Sequence, residues 1–242
     1  MEDAYRMLET ADGVRFGMRG RPGGSPAAVA FLLGSLLDTM LHEAHCEVLN
    51  SLGFVCVALD APGHGLDEVA GEPRDLHAWS HRLKADQDFV AAFTCRLSKV
   101  LDHLVAERIA DPDRVAVVGG SRGGFLAFHF AANDARVRNV AGLAPVTDLR
   151  VLAEFEGLDD HALTKSLSAI RLAGRLAGRN VLVVIGDLDD RVGTDHAIVF
   201  AREVTRMARD ARVELHVLPE PGGHCHPEGT NEILKQWARE VL

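Results

Sequence analysis

The sequence predicts a single α/β domain, residues 1–242, in which a mostly parallel sheet has helices on both faces. Six short apolar runs rich in β-branched residues support this prediction, because runs without polar alternation are typical of strands buried on both sides. Longer stretches of helical periodicity separate the runs, which indicates βαβ units with right-handed crossovers. The six runs are residues 27–33, 55–60, 115–120, 140–145, 181–187 and 213–218.

The remaining segments complete the predicted architecture. Residues 5–24 mix polar and apolar positions around "ADG" and "PGG", which favours an antiparallel hairpin at the sheet edge. Two connections, residues 65–88 and 148–180, are too short for a separate domain but long enough to fold over a site. Two apolar stripes predict amphipathic helices. The first contains Phe89, Phe93, Leu97, Val100, Leu101, Leu104 and Val105, and the second Val199, Phe200, Val204 and Met207.

The composition limits the partners and the location of the chain. Its formal net charge is −9 and its basic residues are scattered, so no nucleic-acid partner is expected. The longest uncharged apolar run, residues 27–37, is too short to span a bilayer, so no membrane partner is expected. The N-terminus has no signal-peptide core, and the 4 cysteines have no metal-ligand spacing. These features predict reduced thiols in a cytoplasmic protein.

The most informative motif is the stretch "GGSRG" from Gly119 to Gly123, which lies between two apolar runs. A Walker A loop would need a lysine before its final serine or threonine, and none is present. A dinucleotide-binding fingerprint would need a glycine in place of Ser121. Gly-x-Ser-x-Gly between a strand and a helix instead matches a nucleophile elbow, in which small neighbours leave clearance for a strained serine. Close packing of strand against helix is the structural alternative for the two glycines.

A serine nucleophile needs a general base, and the base needs an acid that orients it. Both residue types follow in the chain order that accompanies this elbow. The run at 181–186 is followed by "DLDDRV", and the run at 213–218 is followed by "PEPGGHCH". The sequence therefore predicts a catalytic triad with Ser121 as its nucleophile.

These motifs together resemble an α/β-hydrolase-fold serine hydrolase. The resemblance rests on the segments "LLGSLLD", "DAPGHG", "GGSRGG" and "GDLDDRV" with "GGHCHP". The resemblance implies an α/β-hydrolase fold without a large cap domain. It also implies an acid within Gly-x-x-Asp-x-x-Val, a pattern that assigns this role to Asp189. The alternatives are Asp187, Asp190 and, after the preceding strand, Asp148.

The resemblance favours His224 as the base because this histidine directly follows a glycine, and His226 is the alternative. The pair His42 and His45 in "HEAHC" has the wrong spacing for a zinc-binding helix. The cluster "HCH" has no further ligand pattern beside it. We therefore expect no metal and no organic cofactor.

An oxyanion hole should have two backbone donors. One is expected to be the N–H of Arg122, and the other should come from the loop after the third strand. The family's usual His-Gly is replaced there by Leu33-Gly34, so the expected donor is Ser35, with Leu36 as the alternative. His64 in "DAPGHG" is expected to anchor its own loop. The sequence indicates no role for the Arg122 side chain.

The resemblance implies a carboxylesterase that cleaves small-molecule esters of small or medium acyl groups through an acyl-enzyme. The segments "GDLDDRV" and "APVTDL" also resemble catalytic domains of the prolyl oligopeptidase type. An acyl-aminoacyl or dipeptidyl-type peptidase is therefore the main alternative, followed by acyl transfer to an acceptor other than water. A non-catalytic ligand-binding protein on the same fold is the alternative from another class. Members of the fold often dimerise, so the resemblance is compatible with a homodimer.

Overall fold

The computed structural model describes residues 5–241, so residues 1–4 and 242 of the predicted domain lie outside the described part. The strands are β1 (Arg6–Glu9), β2 (Arg15–Arg19), β3 (Ala27–Leu33), β4 (Val55–Ala58), β5 (Ala110–Gly120), β6 (Val137–Leu143), β7 (Asn180–Gly186) and β8 (Arg212–Leu218). They form one 8-stranded sheet in the order β1-β2-β4-β3-β5-β6-β7-β8. All six apolar runs of the sequence lie on strands of this sheet.

The sheet has an antiparallel edge and a parallel centre. Strands β1 and β2 form the predicted hairpin at the edge, with Arg6 opposite Met18 and Glu9 opposite Arg15. Strand β2 is also antiparallel to β4, whereas every pair from β4 to β8 along the sheet is parallel. The prediction of a mostly parallel sheet with an N-terminal hairpin is confirmed.

The helices cover both faces of the sheet. Their bounds are α1 (Leu37–His42), α2 (Ala44–Ser51), α3 (Asp75–Lys84), α4 (Phe89–Ala106), α5 (Arg122–Asn133), α6 (Ala162–Ser166), α7 (Thr194–Met207) and α8 (Thr230–Val241). Consecutive strand residues point to opposite faces. Val117 of β5 accordingly lies in the core shared with α4, α5 and α7, while its neighbour Val118 lies in the core shared with α1, α2 and α8.

One of the two predicted helical stripes needs correction. The stripe on α4 is confirmed, since all its residues are buried except Val105, which packs at the margin of the core. On α7, however, Val199 and Met207 are each 51% exposed. The side of α7 that packs on the sheet is formed by Ala197, Phe200, Ala201 and Val204. The helix and the burial of Phe200 and Val204 are confirmed, but the assignment of Val199 and Met207 to the buried side was wrong, because small alanines form half of that side.

The long connections are folded segments beside the sheet. Residues 65–88 contain α3, whose Trp79 is fully buried and donates from Nε1 to the carbonyl of Pro62 at 2.5 Å. Residues 148–180 contain α6 and several short 3-10 turns, and the turn at Ala153–Phe155 contacts α3. No separate cap domain is present in the described residues. Across residues 5–241, no helix has both the length and the apolar character needed to cross a membrane.

Candidate active site

Ser121 stands at the junction of β5 and α5, at the carboxyl edge of the parallel strands. Its backbone has φ 51° and ψ −117°, a conformation in which a residue with a side chain is strained. The serine N–H donates to the carbonyl of Leu143 at 2.9 Å, and its carbonyl accepts from the N–H groups of Gly124 and Val146, each at 3.0 Å. These backbone hydrogen bonds hold the strained turn in place.

The glycines on either side of Ser121 lie where no side chain fits. A Cβ on Gly119 would lie 2.1 Å from the carbonyl oxygen of Gly123. A Cβ on Gly123 would lie 1.8 Å from the carbonyl oxygen of Leu33 and 2.7 Å from the amide nitrogen of Gly34. Real Cβ atoms do not approach backbone this closely, so both positions require glycine. The same contacts place the loop after β3 directly against the first turn of α5.

A continuous hydrogen-bonded chain joins a serine, a histidine and an aspartate. The Oγ atom of Ser121 lies 2.9 Å from Nε2 of His224, and Nδ1 of the same ring lies 2.8 Å from Oδ2 of Asp189. The carboxylate can only accept, so Nδ1 carries the proton of the neutral ring. Nε2 is therefore the atom free to accept the serine hydroxyl proton.

Asp189 is the aspartate that the loop after β7 directs inward. It is 1% exposed, and its second oxygen, Oδ1, accepts from the backbone N–H groups of Arg191 and Val192, each at 3.1 Å. Buried carboxylates need such partners because water cannot reach them. The carboxylate is therefore fixed by its own loop while Oδ2 faces the histidine.

The alternative acids have other partners. Asp187 is exposed and accepts from the N–H of Glu220 at 2.8 Å, which links the loops after β7 and β8. Asp190 is also exposed. Asp148 is buried and pairs with Arg150 at 2.6 Å and with the hydroxyl of Ser168 at 3.0 Å. The hydrogen bonds from Arg150 and Ser168 lower the pKa of Asp148 against the opposing effect of burial. None of these three carboxylates hydrogen-bonds to a histidine in residues 5–241.

His226, the alternative base, faces a different partner. Its Nδ1 lies 3.1 Å from Nε2 of His45, and Nδ1 of His45 lies 2.7 Å from Oδ1 of Asn231. On its other side, Nε2 of His226 lies against Gly120. Desolvation, together with the neighbouring rings of His45 and His224, lowers the pKa of His226 to about 4 although part of the residue is exposed, which favours a neutral ring. In the part of the chain that the structure describes, no group of three His, Cys, Asp or Glu side chains could hold a metal ion.

Three backbone N–H groups, on the loop after β3 and at the start of α5, remain available for an oxyanion. Within residues 5–241, the N–H groups of Ser35 and Arg122 have no protein acceptor. The N–H of Leu36, the alternative to Ser35, has none either. The carbonyl of Ser35 accepts from the N–H of Ala61 at 2.9 Å, which fixes the peptide plane that this carbonyl shares with the N–H of Leu36. Arg122 is therefore one candidate donor, and Ser35 and Leu36 both remain candidates for the other.

Asp60 braces this loop, a role that the sequence did not reveal. Its Oδ1 accepts from the N–H of Leu37 at 2.8 Å and its Oδ2 accepts from the N–H of Leu66 at 2.9 Å. The carboxylate is 6% exposed, and a Cβ on Gly65 would lie 2.4 Å from Oδ2. One buried side chain thus joins the loops after β3 and β4. "DAPGHG" indicated a turn here but gave no sign of this contact.

The cleft beside Ser121 is charged. Nη1 of Arg122 lies 2.8 Å from Nε2 of His64, and the same ring atom lies 2.9 Å from Oδ1 of Asp75 at the start of α3. His64 is 4% exposed and its Nδ1 donates to the carbonyl of Pro62 at 2.9 Å, so it anchors its loop as predicted. The two long connections meet in this cleft, since Asp75 lies on the first and Glu154 on the second.

Comparison with known proteins identifies relatives of the chain. A model of Peptidase_S9, the prolyl oligopeptidase family, matches residues 41–242. The protein YtaP from Bacillus subtilis (strain 168) is 29% identical over 175 residues, which make up 69% of this chain and 58% of YtaP. The chain therefore matches less than two thirds of that relative's length.

Solved structures share the fold at low sequence identity. TT1662 from Thermus thermophilus superposes with a TM-score of 0.76 at 18% identity, covering 100% of this chain and 98% of that one. Acetyl xylan esterase 1 from Thermoanaerobacterium sp. JW/SL YS485 gives a TM-score of 0.71 at 19% identity, covering 100% of this chain and 89% of that one. At such identities the likeness concerns the fold alone, whereas the family match covers most of the sequence. The chain has the α/β-hydrolase fold and belongs to the prolyl oligopeptidase family.

Proposed function

We propose that the protein is a carboxylesterase that cleaves esters of small or medium acyl groups, with Ser121, His224 and Asp189 as its catalytic residues. The observation that supports this best is the hydrogen-bonded chain from Ser121 Oγ through His224 to Asp189, with links of 2.9 and 2.8 Å. This is the geometry that turns a weakly nucleophilic hydroxyl into an attacking group.

Acylation begins when Ser121 Oγ attacks the ester carbonyl carbon and its proton moves to Nε2 of His224. The carbonyl oxygen becomes an oxyanion, which the N–H groups of Ser35 and Arg122 stabilise. The carbon–oxygen bond to the leaving group then breaks, and His224 returns the proton to the departing alkoxide. The products of this half-reaction are an alcohol and an acyl ester on Ser121. Asp189 stays ionised and stabilises the imidazolium.

Deacylation repeats these steps with water. His224 takes a proton from a water molecule, whose oxygen attacks the acyl carbon. A second oxyanion forms at the same N–H groups, the bond to Ser121 Oγ breaks, and the serine recovers its proton from His224. The acid is released and the enzyme returns to its starting state. Every proton that moves is accounted for by His224.

An ester is the easier substrate for a Ser-His-Asp triad, because an alkoxide leaves more readily than an amide nitrogen. No separate cap domain covers the triad in the described residues, which is compatible with small or medium substrates. The second candidate is an acyl-aminoacyl or dipeptidyl-type peptidase, which the family membership favours. A triad able to cleave such amides would also cleave activated esters. Only the cleavage of amides therefore distinguishes the peptidase from the esterase.

A fluorophosphonate probe tests the nucleophile. We expect covalent labelling of Ser121, detected by mass spectrometry of the labelled peptide, and no labelling of the Ser121→Ala variant. The matched control is Ser51→Ala, which removes an exposed helical serine. Labelling that persists in Ser121→Ala would refute the assignment, and absence of labelling in the unmodified protein would favour a non-catalytic binding role.

Paired substrates then separate esterase from peptidase. We expect turnover of p-nitrophenyl acyl esters and no turnover of the matching acyl-aminoacyl and dipeptidyl p-nitroanilides. If the anilides are cleaved with a kcat/KM within about tenfold of the esters, the peptidase candidate is favoured instead. We also propose a cytoplasmic location, because Cys95 and Cys225 are exposed free thiols of the kind kept reduced there.

A further inference from the structure

The side chain of Arg122 lies in the cleft directly after the nucleophile and has an incomplete set of partners. It is 28% exposed. Its only hydrogen-bond partner in the described residues is Nε2 of His64, at 2.8 Å from Nη1. The nearest carboxylate oxygen paired with it, Oδ1 of Asp75, is 3.9 Å from Nη1 and belongs to a side chain that is 66% exposed.

Several other partly buried arginines of this protein have a carboxylate at hydrogen-bond distance, whereas the half-buried Arg19 and Arg179 donate to backbone carbonyls. The closest nitrogen–oxygen distances in the carboxylate pairs are 2.6 to 2.7 Å. These pairs are Arg82 with Asp67, Arg136 with Asp134, Arg150 with Asp148 and Arg191 with Glu154. Such pairing is expected, since a guanidinium removed from water needs an anion or several acceptors. Arg122, beside the reacting serine, has neither a carboxylate nor a backbone carbonyl at hydrogen-bond distance in the described residues.

His64 does not supply the missing negative charge. Its Nδ1 donates to the carbonyl of Pro62, and its Nε2 lies 2.8 Å from Nη1 of Arg122 and 2.9 Å from Oδ1 of Asp75. In the neutral ring Nε2 accepts from Arg122, whereas a ring protonated on both nitrogens would donate to Asp75, and neither form is negatively charged. A neutral ring offers a dipole and no net charge. Burial lowers the pKa of Arg122, and the carboxylates of Asp75 and Glu154 only oppose that effect. The Nε and Nη2 groups of the guanidinium therefore remain available to an anionic ligand.

The order of the strands indicates which part of a substrate would lie there. His64 follows β4 and His224 follows β8, and these strands stand on opposite sides of β5, which ends at Ser121. The leaving group has to lie near His224 in order to receive its proton. The acyl chain therefore extends the other way, towards His64 and the guanidinium of Arg122.

We propose that Arg122 binds a carboxylate at the far end of the acyl group, so that the preferred substrates are monoesters of dicarboxylic acids. This inference rests on the proposed function, because it assigns the acyl side of the same site. A carboxylate matches the planar fork of a guanidinium and would complete the charge pairing that the protein leaves open. Arg122 would then serve the reaction twice, through its backbone N–H and through its side chain.

Glu154 favours a competing interpretation, in which this end of the substrate is a cation. One of its oxygens pairs with Arg191 at 2.6 Å, while Oε2 is buried and without a hydrogen-bond partner in the described residues. A substrate ammonium would be the natural partner of that oxygen. We favour the anion because Glu154 already has a cationic partner, whereas Arg122 has no anionic one within hydrogen-bond distance. The experiment therefore includes an anionic and a cationic series of substrates.

The test compares p-nitrophenyl monoesters of glutaric, adipic, pimelic and suberic acid with their neutral methyl diesters and with p-nitrophenyl 6-aminohexanoate. Spontaneous hydrolysis is subtracted from each rate. For at least one chain length, we expect kcat/KM for the anion to exceed that for its methyl ester by about 10- to 100-fold, the size of a hydrogen bond to a charged group. Added salt should reduce this ratio.

In the Arg122→Gln variant, the ratio of kcat/KM for the anionic substrate to that for its methyl ester should fall to about one. The ratio is the readout because any disturbance of the oxyanion hole lowers both rates together. Arg122→Lys should keep part of the preference, since it retains the charge without the fork. The control is Arg202→Gln, which removes the same charge from an exposed site on α7 and should leave the ratio unchanged. Circular dichroism checks that each variant is folded.

A binding measurement makes the result independent of turnover. The Ser121→Ala variant should bind the best free dicarboxylate in calorimetry, and the added Arg122→Gln change should abolish that binding. Hydrolysis of neutral esters without any anionic preference would overturn this inference and leave the proposed function standing. A preference for the ammonium ester that Glu154→Gln removes would also overturn it. Absence of both labelling and hydrolysis would refute the proposed function. If the Ser121→Ala variant also failed to bind any dicarboxylate, the anion site would be refuted as well.

Discussion

Nδ1 of His226 lies 3.1 Å from Nε2 of His45, while His224, two residues earlier, lies 2.9 Å from Ser121 Oγ. The two histidines therefore point to opposite partners although they share one loop. Nδ1 of His45 donates a hydrogen bond to Oδ1 of Asn231, so in the neutral ring its Nε2 accepts a hydrogen bond from the Nδ1–H of His226. The contact ties the loop after β8 to α2.

Substituting His224 and His226 one at a time should show which of them is the catalytic base and which only holds the loop after β8. We expect His224→Ala to lower kcat for p-nitrophenyl esters by about 10⁴- to 10⁶-fold, the range for removal of a triad member. His226→Asn places an amide N–H where Nδ1 stands and should lower kcat by less than about tenfold. Steady-state kinetics on both variants decides. The reverse pattern would transfer the role of base to His226.

Asp60 is expected to affect catalysis through the loop it braces. In Asp60→Asn the amide nitrogen would face either Leu37 N–H or Leu66 N–H, and two donors cannot pair. We expect kcat to fall by about 10- to 100-fold, within the loss caused by one misplaced oxyanion donor, and KM to change little. Unfolding should become easier by about 1–3 kcal/mol. Urea titration and ester kinetics measure both effects.

The control for Asp60 is Asp187→Asn. Asp187 accepts from a single backbone N–H, that of Glu220, in a loop outside the oxyanion hole. This variant should keep most of its kcat. An Asp60→Asn variant that loses stability while keeping its kcat would show that the brace is structural only.

Gly123 is expected to be intolerant of even one added methyl group. In Gly123→Ala the new Cβ would lie 1.8 Å from the carbonyl oxygen of Leu33, so the loop after β3 has to move away from α5. We expect a loss of about 1–3 kcal/mol in the free energy of unfolding and slower labelling of Ser121 by the fluorophosphonate. Thermal unfolding and labelling rates measure these changes.

Gly23 provides the matched control for that substitution. A Cβ there would have nothing within 4 Å, and its φ is not in the positive range that disfavours alanine. Gly23→Ala should leave stability unchanged or slightly improved, because alanine restricts the unfolded chain. If both variants behaved alike, the clearance argument for the elbow would fail.

His129 should make stability depend on pH. Burial lowers its pKa from 6.5 to about 4, and its Nε2 donates to the carbonyl of Leu167 at 2.8 Å, so the folded ring is neutral. As pH falls below 6.5, the unfolded ring takes up a proton and the folded ring does not. Stability is therefore full above pH 6.5 and falls between pH 6.5 and about 4, by about 3 kcal/mol for this group.

The His129→Gln variant isolates this contribution, because its amide can still donate to Leu167 but does not titrate. Urea unfolding at a series of pH values should show a smaller loss of stability in the variant across the same window. Carboxylates titrate in this range in both proteins and cancel in the difference. Identical pH profiles would mean that the buried ring does not resist protonation.

Much of the fold could be predicted from the sequence because buried parallel strands leave an unmistakable pattern. A strand covered on both faces must be apolar at every position, and a polar hairpin at the edge needs no such run. Helices were less certain. On α7 the packed side is built largely from alanines, whose small apolar contribution does not stand out beside the exposed Val199 and Met207.

The elbow could be predicted for a related reason. Gly119 and Gly123 flank a strained serine because backbone occupies the space a side chain would need, and this demand is local. The order of acid and base along the chain is similarly visible, since each follows its own strand. The sequence alone thus determined the sheet, the strained serine and the loops that reach it.

Only the tertiary structure decided which neighbouring side chains meet. Asp187, Asp189 and Asp190, or His224 and His226, have the same chemistry and differ only in the direction in which each loop residue points. Those directions depend on contacts between segments far apart in sequence, as between Ser121 and His224, 103 positions apart. The brace of Asp60 and the under-paired guanidinium of Arg122 arise in the same way. Burial and pairing are properties of the folded neighbourhood, and no local pattern encodes them.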